Sequence, residues 1–258
     1  MFQNKSLQIG YKVLAVLMVL YSLLYGLLAP LPQMAQLGQS SRNIFYHVPM
    51  WFSMIVLMSI SVYQSIRLLR LTDPDRERVE DPLLSDAKAR IAALVGVLFN
   101  VLGLATGIIW QRVSWGENIP PTEFAAWWSW DPIQICALVA LLIYLAYFLL
   151  RSSVSDAEQK AKVAAVYNIF AFATLIPLFF IVPRILPGLH PTADGQGPII
   201  FDKSQISSEF RMILYPGAIG YILMGVWLYE LRSRFAMINI RFAKWRADRQ
   251  YELEQSKS

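Results

Sequence analysis

Six stretches of mostly apolar residues, at about 12–32, 48–69, 88–110, 132–150, 162–183 and 209–231, divide this chain of 258 residues. None carries an Asp, Glu, Lys, Arg or His near its centre. A helix crosses a hydrocarbon core with about 20 such residues, and there only helices and closed barrels satisfy their own backbone. The pattern predicts an all-α, polytopic membrane protein with six transmembrane helices. Residues 1–231 are expected to form a single membrane domain, and 232–258 a basic tail. The first apolar run is too long for a signal-peptide core and lacks a small-residue cleavage site, so it is expected to remain as the first span.

Charge sets the expected orientation. The N-terminus, the 67–90 and 151–162 loops and the tail hold 18 of the 23 Lys and Arg residues. The other side holds Arg42, Arg112, Arg184, Lys203 and Arg211. Positive charge marks the cytoplasmic side, so both termini are expected inside and three loops outside, at about 33–47, 111–131 and 184–208. The net charge of +5 follows from this distribution. No basic patch interleaved with aromatics of the single-strand-binding kind accompanies it, and no nucleic-acid partner is expected. The inner loop mixes its basic residues with Asp73, Asp75, Glu77, Glu80, Asp81 and Asp86, as a solvated face does. The tail's Arg234, Arg241, Lys244, Trp245, Arg246 and Arg249 suit anchoring at the lipid surface; docking of a cytoplasmic partner is the alternative.

No Walker loop, HExxH motif or Ser/His/Asp arrangement stands out, so no enzyme is expected. The single cysteine, Cys136, allows no intrachain disulfide. The absence of a central charge weighs against a proton-coupled transporter. Gln64, Asn100 and Asn168 fall inside spans, where they suit interhelical hydrogen bonds.

The outer side concentrates the unusual residues. Five of the eight tryptophans lie between Trp110 and Trp130, closing on Trp127-Trp128-Ser129-Trp130-Asp131-Pro132. Both histidines, His47 and His190, also fall in the expected outer segments, each beside prolines that restrict the backbone. Two imidazoles and an indole platform suit haem, whose iron takes axial imidazoles and whose flat apolar ring stacks on aromatics. Its propionates favour guanidinium groups, for which Arg112, Arg42 and Arg184 are candidates. Pro120-Pro121, with Thr122 as cap and Glu123 in the first turn, predicts a short interfacial helix. Phe124, Trp127, Trp128 and Asp131 would share one face of it. Asp131-Pro132 opens the fourth span as N-cap and first helical residue; whether Asp131 only caps or also orients an indole or ligand stays open.

These residues resemble the CcmC family, haem-handling membrane proteins of cytochrome c maturation. The resemblance covers nearly the whole chain: six spans, cytoplasmic termini, and a tryptophan-rich outer segment between two outer histidines. Trp115-Gly116 and Trp128-Ser129-Trp130-Asp131 match the family's WG and WxWD elements, His47-Val48-Pro49 matches a His-Val-Pro at the mouth of the second span, and His190 matches a histidine after the fifth. The resemblance implies a multi-pass protein of the cell inner membrane that carries haem b as bound cargo. His47 and His190 would be the axial ligands. Trp115, Gly116, Trp127, Trp128, Trp130, Asp131 and Arg112 would form the surrounding site. The implied partners are a membrane-anchored periplasmic haem chaperone, the ATP-driven transporter subunits of the maturation complex, and membrane lipid. Two features depart from the family: residues 117–126 lengthen the gap after Trp-Gly, and Pro132-Ile133-Gln134 follows Asp131 where relatives carry a base. The competing readings are a haem-bearing redox subunit of quinol-oxidase type and a small-solute permease subunit.

Overall fold

The computed structural model describes residues 5–32, 37–72, 81–186, 188–190 and 206–255. Lys203, Pro187, Pro191 and most of the 184–208 loop lie outside the described residues, as do Asp73, Asp75, Glu77 and Glu80. The fold is all-α, with six helical segments long and apolar enough to cross a membrane. Helix α1 spans Lys5–Leu28, α2 Ile44–Leu71 after a 3₁₀ turn at Gln39–Asn43, α3 Pro82–Ser114 and α4 Pro132–Ser153. Helix α5 spans Ala157–Ile176 and continues through a π turn, Pro177–Ile181, into α6, Val182–Ile185. Helix α7 spans Ser208–Gln255.

The helices outrun the apolar stretches because polar residues cap them. Asp81, Asp131 and Asp156 are N-caps whose carboxylates accept from the backbone N–H of Leu83 (2.9 Å), Ile133 (2.9 Å) and Gln159 (2.7 Å). In the first two, proline follows at the first helical position, where its missing N–H costs nothing. Residues 39–47, expected in an outer loop, are helical, so His47 sits in the first turn of α2. Helix α7 runs unbroken across the expected boundary at 231–232.

Close approach between α2 and α3 forms the centre of the bundle. A Cβ at Gly103 would stand 2.8 Å from the Trp51 ring, and one at Gly107 2.9 Å from His47. Only glycine lets α3 approach there, the usual device of packing in lipid. Asn168 of α5 donates to Ser61 Oγ (2.7 Å) and Ser65 Oγ (2.8 Å) of α2, the interhelical role expected of it. Asn100 is buried with neither amide atom hydrogen-bonded among the described residues. At the end bearing the termini, Arg151 makes two bonds to Asp86, 2.6 and 2.7 Å, and Tyr11 of α1 donates to Glu230 of α7 at 2.5 Å. At the opposite end, Ile44, Phe45, Trp110, Ile206 and Phe210 form a second apolar cluster beneath the candidate site.

Candidate functional site

At the end of the bundle away from the termini, the two histidines meet. His47 is 5% exposed, and its hydrogen bonds fix its tautomer. The indole Nε1 of Trp51, a donor only, gives its proton to His47 Nε2 at 3.1 Å. Thr106 Oγ1 donates to Leu102 O (2.8 Å) and so accepts from His47 Nδ1 (3.1 Å). The proton is therefore on Nδ1 and the lone pair on Nε2. The rings of Trp51 and Trp110 each lie 5.6 Å from that of His47, edge to face.

His190 arrives from the segment after α6, and Asp131 holds it there. One Asp131 oxygen caps α4, while the other accepts from the backbone N–H of Leu189 at 2.6 Å. The capping reading of Asp131 is realised, and its second oxygen holds the backbone beside His190 rather than an indole. Burial pushes the His190 imidazole below its ordinary pKa, against the upward pull of the Asp131 charge. The His47 and His190 ring centroids are 6.1 Å apart, with the planes at 79°. Trp115 lies 6.0 Å from His190. The cavity between these groups is about 30 Å³ and is also lined by Gly103, Gly107, Ile133, Gln134 and Ala137.

The rest of the expected platform stands apart from that cavity. No interfacial helix forms over 123–131: a single 3₁₀ turn, Phe124–Ala126, begins after Glu123 without a side-chain cap and ends at Trp127. Phe124, Trp127, Trp128 and Asp131 therefore share no helical face. The turn stops because Ala126 is drawn under the end of α3, where a Cβ at Gly116 would come within 2.2 Å of its carbonyl oxygen, and because Trp130 adopts a left-handed φ of 54°. Residues 117–126 thus leave and return to the same point, and the Trp115-Gly116 step stays beside Trp127. Arg112 closes the junction, donating to Gly116 O at 2.6 Å and lying over the Trp127 ring at 5.9 Å. Ser129 donates to Gln134 Oε1 at 2.9 Å, pinning the turn between Trp128 and Trp130. Trp128 and Trp130 pack edge to face at 6.0 Å. Trp127 and Trp130 are exposed, and the buried Nε1 of Trp128 has no partner among the described residues.

The three arginines have backbone work. Arg42 donates to the carbonyls of Gly26 (2.8 Å), Leu27 (3.2 Å) and Ala29 (2.9 Å), satisfying the free C-terminal carbonyls of α1. Arg184 donates to Phe180 O, and Arg112 is held as above. Of the residues singled out in the sequence, the structure gathers His47, His190 and Trp115 around the cavity and Asp131 behind it. Arg112, Gly116 and Trp127 form the adjoining brace, and Trp128 and Trp130 an outer ledge. Trp110, the first of the five clustered tryptophans, belongs with the histidines, as do Trp51, Thr106 and the two α3 glycines, which were not singled out. The spacing from His47 to Trp51, i to i+4 on one helix, carried a signal for Trp51.

A metal–imidazole bond of about 2 Å places a ring centroid roughly 3 Å from the metal, so two imidazoles on opposite sides of one iron stand about 6 Å apart. The His47–His190 centroid separation is of that size, while His47 Nε2 is engaged by Trp51. The cavity volume is that of one or two waters, so a macrocycle enters only if the aromatic wall opens and Trp51 gives up the Nε2 lone pair.

The chain matches the CcmC family, described as Heme exporter protein C, over residues 2–248. It is 26% identical to Heme exporter protein C of Paracoccus denitrificans over 221 residues, covering 86% of this chain and 82% of that protein. It is 31% identical to Heme exporter protein C of Bradyrhizobium diazoefficiens over 213 residues, covering 81% and 72%. A shorter likeness, 32% over 122 residues, covers 47% of this chain and 34% of the cytochrome c biogenesis protein CcsA of Prochlorococcus marinus.

Proposed function

This chain belongs to the CcmC family, multi-pass membrane proteins that handle haem in cytochrome c biogenesis, and we propose that it binds haem b at its outer face between His47 and His190. From there it presents the haem to a membrane-anchored periplasmic haem chaperone, beside the ATP-driven transporter subunits of the same complex. Both termini lie in the cytoplasm and the protein resides in the cell inner membrane. The observation that carries the reading is the imidazole pair, 6.1 Å apart, inside a wall of three indoles. The positive-inside distribution supports the orientation.

Each part of the site has a task in this reading. Thr106 keeps the His47 proton on Nδ1 and so keeps Nε2 available as a ligand. Asp131 holds the His190 segment to the start of α4. The exposed Trp127 and Trp130 offer an apolar ledge beside the Arg112 brace, where the apolar disc rests before or after ligation. The chain contributes binding and presentation, and covalent attachment belongs to its partners.

The test is the absorption spectrum of the detergent-purified protein. His47→Ala and His190→Ala should each lower haem occupancy several-fold, and the double variant should lose it while still inserting in the membrane. Unchanged haem absorbance in the double variant would remove both residues from the ligand role.

A further inference from the structure

Helix α7 is 48 residues long, about 72 Å at 1.5 Å per residue, against a hydrocarbon core of about 30 Å. From Leu231 onward its exposed large apolar residues are Leu231, Phe235, Ile238, Phe242 and Trp245, spaced four, three, four and three; Met237 and Ile240, off this stripe, are half-buried. All five are 47–64% exposed. This is the a/d pattern of a coiled-coil strand, with Phe235 and Phe242 at a and the other three at d. Of the six positions flanking the stripe between 232 and 248, four are arginine: Arg232, Arg234, Arg241 and Arg246. Arg234 also reaches Gln8 and Glu230, and Arg246 lies over Phe242 at 4.9 Å.

We propose that this extension of α7 is one strand of a two-stranded coiled coil, its partner being a helix whose apolar stripe is flanked by acidic residues. Charge complementarity selects that occupant. A second copy of the chain would set arginine against arginine along the seam. An arginine-rich helix with an aromatic face also suits a lipid surface, but lying flat requires a break from the span. No break exists: α7 is continuous from Ser208 to Gln255, and its one internal proline, Pro216, is far from the extension. A helix already formed and anchored at one end needs no nucleation, so two heptads of contact suffice.

The test uses the full chain in nanodiscs and two labelled synthetic helices of about four heptads, with Leu at a and d and either Glu or Lys at e and g. By fluorescence anisotropy the Glu helix should bind, and the Lys helix should bind at least about tenfold more weakly. The double variant Ile238→Asp, Phe242→Asp should weaken Glu-helix binding by at least about tenfold while leaving the haem spectrum as in wild type, so this result is independent of the haem site. No binding to wild type, or binding that survives the double variant, would overturn the proposal. So would a spin label at Ile238→Cys that is shielded from a water-soluble relaxation agent in nanodiscs of anionic lipid, since the extension would then lie on the membrane.

Discussion

At the scale of single residues, the site is governed by one lone pair. His47 Nε2 accepts from Trp51 Nε1, and any metal ligated through that nitrogen must displace the indole. A hydrogen bond contributes about 1 kcal/mol net, worth roughly a fivefold change in an equilibrium. Trp51→Phe keeps an aromatic ring against Phe179 and removes the donor, so haem affinity should rise about fivefold in a spectrophotometric titration. A fall would mean that the indole N–H serves the bound state. The histidines were legible in the sequence because a chain with two of them, both in expected outer segments, offers little else. Trp51 was not, because a tryptophan near the start of a span reads as an ordinary interface residue until the i, i+4 relation to His47 is weighed. Asp131 was legible as a cap; its second oxygen, on Leu189 N, joins residues 58 positions apart, a relation that no local pattern encodes.

At the scale of elements, apolar runs located the spans and capping decided their ends. Helix α3 begins at Pro82 rather than about 88 because Asp81 caps it, even though Asp86, Lys88 and Arg90 dilute the apolar run. The expected interfacial helix failed for a tertiary reason. Its pattern is local, but Ala126 is fully buried against Gly116, and that contact selects one turn over a longer helix. Gly116→Ala should therefore force residues 124–127 outward, loosen the Arg112 brace and lower haem occupancy. Limited proteolysis within 117–126 should accelerate in the same variant. Gly10→Ala, where no atom lies within 4 Å of the new Cβ, is the matched control and should change neither readout.

At the scale of the whole molecule, the two ends of the bundle divide the labour. The end bearing the termini is fastened by charge and hydroxyl contacts: Arg151 with Asp86, and Tyr11 with Glu230. The other end gathers the imidazoles and indoles. Asp86 and Gly107 are 21 residues apart on α3, about 32 Å along its axis. Asp86→Ala would leave the Arg151 guanidinium, 9% exposed, buried without its carboxylate, at a cost of about 3 kcal/mol. The unfolding midpoint in detergent should fall, while the haem spectrum of the folded protein stays as in wild type. A spectral change of the size expected for His190→Ala would show that the ends are coupled.

The indole bond to His47 also bears on what else the imidazole pair can hold. Two imidazoles with ring centroids 6.1 Å apart also suit a small cation such as copper or zinc. With its Nε2 already accepting from the Trp51 N–H at 3.1 Å, His47 is expected to bind either metal about fivefold more weakly than an unengaged imidazole would. A ligand that also packs against the surrounding indoles offsets that cost, and a bare ion does not.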